Sequence, residues 1–181
     1  MAIEFGLNEE QEMLKTMARD FLEKECPKSL VRAMEEDEKG YSPELWRKMA
    51  ELGWMGLTLP EKYGGAEMEF LDLIILLEEM GRNIVPGPFF STVVLCSNAI
   101  FDAGTDAQKD EFLTKIAKGE MIMAFALTEP SATYAAEGIA TTAKAEGDSY
   151  IINGTKLFIP DAAVADYMIA VSYTHLTLPT N

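Results

Sequence analysis

The sequence predicts an α+β chain in which an all-helical bundle is followed by an incomplete antiparallel β domain. Three observations predict it. Capped amphipathic stretches recur through about the first 120 residues, β-prone runs separated by turn dipeptides take over from Met121, and those runs are too few to close a barrel or a sandwich. The expected units are a helical domain over 1–120, part of a sheet domain over 121–170 and a tail over 171–181.

The first helix is expected from residue 8 to about residue 25. Asn8 can cap it with Gln11 three positions on, and Met13, Leu14, Met17, Ala18, Phe21 and Leu22 recur at helical spacing. Pro27 interrupts the pattern, Ser29–Glu38 resumes it with an acidic end, and Ser42-Pro43 opens a third helix that Gly53 stops. The glycine-rich segment from Gly53 to Gly65 reads as an ordered, packed loop, with Gly64-Gly65 serving either close packing between helices, the preferred reading, or contact with a ligand. Phe70–Arg82 is apolar enough for a helix buried on more than one face. After Pro86 and Pro88, Phe89–Ala103 reads as another buried helix. Thr105 with Gln108 caps the last one, which runs through Phe112, Leu113, Ile116 and Ala117 to Gly119. The total is five or six helices.

The strands are then expected at Ile122–Leu127, Thr141–Ala145, Tyr150–Ile152, Lys156–Ile159 and Tyr167–Val171, with turns at Gly147-Asp148 and Asn153-Gly154. An open sheet of this kind leaves unpaired edges and apolar side chains, which favour association.

Composition narrows the partners. Thirty acidic against 15 basic side chains give a net charge of −15, which repels polyanions, so nucleic acid is not an expected partner. Cys26 and Cys96 lie far apart in sequence with no second cysteine or histidine at ligand spacing. They are expected as buried thiols in a reducing compartment, with no metal site. The N-terminus has no secretory pattern and no apolar run reaches about 20 residues, so a soluble, cytoplasmic protein without a membrane span is expected. Eleven methionines spread among the helices read as core filler.

The chemistry-bearing stretches are Ala124–Pro130 and Tyr150–Ile159. An apolar strand that ends in a hydroxyl and a proline-stopped turn can lay backbone donors and one side-chain OH along the edge of a flat redox ring. Thr128 is then either that donor or a strand-end residue satisfying its own backbone. Phe158 either stacks on the ring or fills the sheet core. Glu129 and Asp161 have no evident partner, and Glu129 is read as fixing the turn.

From about Phe5 to Val171 the chain resembles the acyl-CoA dehydrogenase family. The resemblance rests on Gly56-Leu57…Pro60-Glu61…Tyr63-Gly64-Gly65, on Gln108-Lys109…Gly119-Glu120, on Leu127-Thr128-Glu129-Pro130 and on Ile152-Asn153-Gly154-Thr155-Lys156. It implies a helical, a β and a second helical domain, the last absent here. It also implies FAD as cofactor, removal of hydrogens from the α and β carbons of an acyl-CoA thioester with hydride transfer to flavin N5, and reoxidation by an electron-transfer flavoprotein, in a homo- or hetero-oligomer of lipid metabolism.

By the same resemblance, Thr128 flanked by Phe125 and Leu127 meets the flavin. The family's Trp-Ile-Thr contact maps onto Phe158, Ile159 and Pro160, of which only Ile159 is unchanged. The glycine-rich run after the proline is replaced by Ser131-Ala132-Thr133-Tyr134-Ala135. Tyr134 either brings its OH to phosphate or thioester in place of the family's serine or is a surface residue in a turn. The catalytic glutamate belongs to the missing helical domain, so no catalytic residue is named here and the fragment alone is expected to be inactive. A non-catalytic assembly subunit of a heteromeric dehydrogenase, with a degraded flavin site, is the alternative, and a thioester-binding or oxygen-using relative is a third. The tail 171–181 departs from the family pattern and is read as adapter-derived, so His175 takes no role.

Overall fold

A helix survives at the N-terminus because its first turn is closed twice. The Asn8 side chain accepts from the Gln11 amide at 2.8 Å and Gln11 accepts from the Asn8 amide at 3.1 Å, after which Leu14, Ala18 and Leu22 fall on one buried stripe. The computed structural model describes residues 6–173. Helices are α1 (Glu9–Glu25), α2 (Lys28–Glu35), α3 (Pro43–Glu51) and α4 (Phe70–Asn83). Next come a π-helical stretch, Phe90–Cys96, running into α5 (Ser97–Ala103), and a last helical run made of α6 (Asp106–Gln108), π-helical Lys109–Leu113 and α7 (Thr114–Ala117).

The expected helices are all present, with three adjustments. The second helix ends at Glu35, ahead of the acidic residues that follow, the helix expected over 89–103 begins as a π-helix, and the last helix has a π-helical interruption at Lys109–Leu113. A π turn inserts one extra residue and so rotates the face that follows, a device common near functional sites.

The first helix packs on the fourth. Gln11 donates to Asp72 at 3.1 Å, and the Arg19 guanidinium grips the buried Glu79 carboxylate through two bonds of 2.7 and 3.0 Å. That pairing holds the Glu79 carboxyl below its ordinary value, with the Arg19 hydrogen bond as the first cause. Leu22, Trp54, Leu73 and Val93 share the main core, and Leu59, Tyr63, Ile116 and Met123 share a second one under the sheet. Cys26 and Cys96 are free and buried. Among the described residues no helix is long and apolar enough to cross a membrane.

The strands are β1 (Met123–Ala126), β2 (Thr142–Glu146), β3 (Ser149–Asn153) and β4 (Tyr167–Ala170). The hairpin β2–β3 is antiparallel, as its turn at Gly147 requires. β1 and β4, however, run parallel, with Phe125 opposite Ile169, where the sequence predicts antiparallel pairing throughout. Direction here is set by the path of the connection, not by the strands themselves. The strand expected at Lys156–Ile159 does not form, because that segment folds onto the end of β1: the Leu157 amide donates to the Thr128 carbonyl at 2.9 Å.

Side chains fix β1 to the helical unit. Thr92 Oγ1 accepts from the Met123 amide at 3.0 Å and donates to its carbonyl at 3.1 Å, while Asp166 accepts from the Ile122 amide at 2.8 Å. Of the tail, Tyr173 exchanges backbone bonds with Thr141 and Ala143, at 2.8 and 3.0 Å. The remainder of that tail, His175 included, lies outside the described residues.

The glycine-rich loop is packed as its composition implies. Gly64 has φ +84°, and a Cβ on Gly65 would lie 1.9 Å from the Leu59 carbonyl oxygen and 2.7 Å from that of Gly56. Only a hydrogen fits there. Gly65→Ala is therefore expected to destabilise the protein by about 2 kcal/mol, read as a lower denaturant midpoint with an unchanged slope.

Candidate functional site

The ladder between β1 and β4 stops at Ala126, whose carbonyl accepts the last bond, from the Val171 amide at 3.1 Å. Two residues later the chain leaves the sheet, and among the described residues nothing accepts from the Thr128 N–H. Thr128 is half-buried, and a backbone donor with no protein partner at such a strand end is open to another acceptor.

The turn that presents this amide is held by ions. Lys156 Nζ donates to the Leu127 carbonyl at 3.0 Å and to Glu129 Oε1 at 2.7 Å, and Glu129 also accepts from the amides of Ala140 and Thr141, at 2.7 and 3.0 Å. The two side chains are 8% and 5% exposed. Lys156 and the neighbouring donors pull the Glu129 carboxyl down to about 2. Glu129 fixes the turn, as the sequence suggests, but its partner is a residue that the sequence leaves unassigned.

Phe158 follows this anchor. It sits at φ +50° and is 88% exposed, so the sheet-core reading fails for it. A large aromatic held outward on a left-handed backbone is costly in two ways, in strain and in exposed apolar surface. Phe125, half-buried, packs against the second core, and Leu127, Thr128 and Ile159 are half-buried as well. Pro160 is exposed, and Tyr134 is 73% exposed on a run, Ser131–Ala135, that is exposed throughout. Ala132 adopts φ +52°, so the backbone keeps a glycine-like conformation at a residue that carries a side chain.

The structure thus brings Leu127, Thr128 and Glu129 together with Lys156 and Leu157, and Phe158 adjoins them in the chain. Tyr134 belongs to a separate exposed segment. Sequence reasoning missed Lys156, Ser91 and Thr92. Ser91 Oγ donates to Asp161, at φ +60°, and so ties the helical unit to the Phe158 segment. Two signals pointed to Lys156: it closes one of the motifs that carry the family resemblance, and a glutamate at a strand end next to apolar residues requires a partner if it is buried. An open groove of about 440 Å³, lined by Leu77, Met80, Ile84, Val85, Phe89 and Phe90, lies at the N-terminal end of the π-helical stretch that carries Ser91.

The pH dependence follows from Glu129. Its folded pKa of about 2 lies below the ordinary 4.5, so the carboxylate's contribution to stability is complete above pH 4.5 and is lost as the pH falls toward 2. Acid titration of unfolding is expected to show that loss, and Glu129→Gln is expected to remove most of it while lowering stability at pH 7.

Known proteins place this architecture. The acyl-CoA dehydrogenase N-terminal domain matches residues 8–120 and the acyl-CoA dehydrogenase middle domain matches residues 124–179. A short-chain-specific acyl-CoA dehydrogenase of Clostridium acetobutylicum is 37% identical over 98% of this chain and 47% of its own length. The subunit CarC of a caffeyl-CoA reductase–Etf complex from Acetobacterium woodii is 33% identical over 96% of this chain and 46% of its own length. The solved butyryl-CoA dehydrogenase of Megasphaera elsdenii superposes with a TM-score of 0.76 at 35% identity, covering 95% of this chain and 46% of that one. The chain thus spans about half the length of the curated relatives it matches. Two domains in the same order, over most of the sequence, make this chain a member of the acyl-CoA dehydrogenase family.

Proposed function

We propose that the chain is the N-terminal helical domain and the opening part of the β domain of an FAD-dependent acyl-CoA dehydrogenase, and that the end of β1 is its flavin edge. The unpartnered Thr128 amide beside the outward-facing Phe158 carries this reading. FAD bound there supplies the two-electron acceptor for α,β-dehydrogenation of an acyl-CoA thioester.

The residues present suit such a ring. Thr128 offers a backbone N–H and a hydroxyl to its polar edge, Leu127 and Phe125 give apolar flanks, Phe158 has an open face for stacking, and Ile159 backs that segment. Pro160 offers no donor, which leaves that side of the ring to be held by packing alone. Tyr134, on its exposed run, is assigned to the substrate's polar end. The acyl chain is assigned to apolar surface such as the groove beside Phe89 and Phe90. The proton-abstracting carboxylate is expected from sequence that this chain does not contain.

An electron-transfer flavoprotein is the proposed redox partner, and the complex in which the Acetobacterium relative is named supports that choice. Self-association or pairing with a related subunit is proposed from β3, where Tyr150, Ile151 and Ile152 are all exposed. The second reading, a non-catalytic assembly subunit, is favoured by Pro160 and by the glycine-free Ser131–Ala135 run. It requires FAD to remain with a co-purifying paralogue and not with this protein.

The full-length protein is expected to bind FAD and to bleach at its visible band when an acyl-CoA is added. A protein that stays colourless after FAD is supplied would overturn the assignment. Phe158→Ala separates function from folding: stability is expected to change by less than about 0.5 kcal/mol, while FAD affinity falls about tenfold.

A further inference from the structure

The Lys156–Glu129 pair does more than brace a turn. Lys156 donates to the Leu127 carbonyl, and that carbonyl shares one peptide plane with the Thr128 N–H. A cation on the oxygen draws electron density from the nitrogen, so the N–H on the far side becomes a stronger donor, an effect that grows where water is excluded. The next peptide is fixed too, because the Thr128 carbonyl accepts from Leu157, the residue after the lysine. A single two-residue stretch, Lys156-Leu157, therefore grips both peptides that flank Thr128.

The carboxylate sets the position of that grip. Glu129 is held by the Ala140 and Thr141 amides as well as by the ammonium, so the lysine is aimed from a point on a different segment. The Lys156 side chain is 8% exposed, and its ammonium contacts the Glu129 carboxylate and the Leu127 carbonyl, with little freedom to turn away.

We propose that Lys156, aimed by Glu129, is a positioning residue that polarises and orients the Leu127–Thr128 peptide so that its N–H acts as a strengthened donor to the flavin ring. The proposal rests on the reading of the β1 end as a flavin edge. Its consequence is electronic as well as geometric: a stronger donor at the ring favours the electron-rich form of the cofactor, so removing the pair makes bound FAD harder to reduce.

The test uses the full-length protein. Lys156→Met alone leaves a buried carboxylate uncompensated and risks unfolding, so the informative variant is Glu129→Gln with Lys156→Met, which removes both charges together. Its FAD is expected to bind roughly tenfold more weakly, as for one lost bond to a charged group, with a visible band moved toward that of free FAD and a lower reduction potential. A double variant with the wild-type affinity, band and potential would reduce the pair to a structural brace. A second measurement needs only the wild type: hydrogen exchange over residues 127–129 is expected to slow when FAD is added, and exchange that is unchanged in a protein that does bind FAD overturns the proposal. Wild-type protein that binds no FAD fails one level below, at the flavin reading, and takes the proposal with it.

Discussion

The end of β1 depends on one charge pair taken out of water. A carboxylate and an ammonium this enclosed are tolerable when further hydrogen bonds offset their desolvation: Glu129 takes two backbone amides, and Lys156 takes a backbone carbonyl. Three stretches of chain, 127–129, 140–141 and the one at Lys156, therefore meet at a single point. Sheet pairing is not available to do this work, because the ladder has already ended at Ala126. Without the pair, the link from the Leu157 amide to the Thr128 carbonyl would be the remaining backbone tie between the turn and the returning segment.

A second set of contacts joins that sheet end to the helices. Thr92 takes both polar groups of Met123, Asp166 takes the Ile122 amide, and Ser91 reaches Asp161. Ser91 and Thr92 lie within the π-helical stretch, whose added residue lets two adjacent hydroxyls serve the β side while Val93 stays in the core. The helical unit and the sheet are thus joined by hydrogen bonds at one place and by apolar packing, through Met123 and Ile122, beside it.

The parts that could be read from the sequence are those whose causes are local. Asn8 with Gln11 and Thr105 with Gln108 form closed capping boxes because each pair is three residues apart on its own helix. The packing duty of Gly65 is legible for a similar reason, since only a glycine-rich loop can fold so tightly on itself. Strand direction was not legible: β1 and β4 pair across a long connection, and nothing in either run encodes parallel over antiparallel. Lys156–Ile159 has strand-like residues, yet the burial of Lys156 against Glu129 diverts it, a tertiary effect that overrides propensity. At the candidate site Thr128 and Phe158 could be picked out by the family resemblance. The lysine that holds them lies in a motif of that resemblance, but its duty was not legible, because it comes from a partner 27 positions away.

The parallel pairing of β1 with β4 carries one more implication. Parallel neighbours oblige the intervening polypeptide to travel back before it can return in the same sense, and β2 with β3 is part of that detour. The bend at Gly147 faces open space, at φ +62°. A reporter or affinity handle spliced into that bend would therefore extend outward from the molecule and leave the alignment of the two companion strands undisturbed.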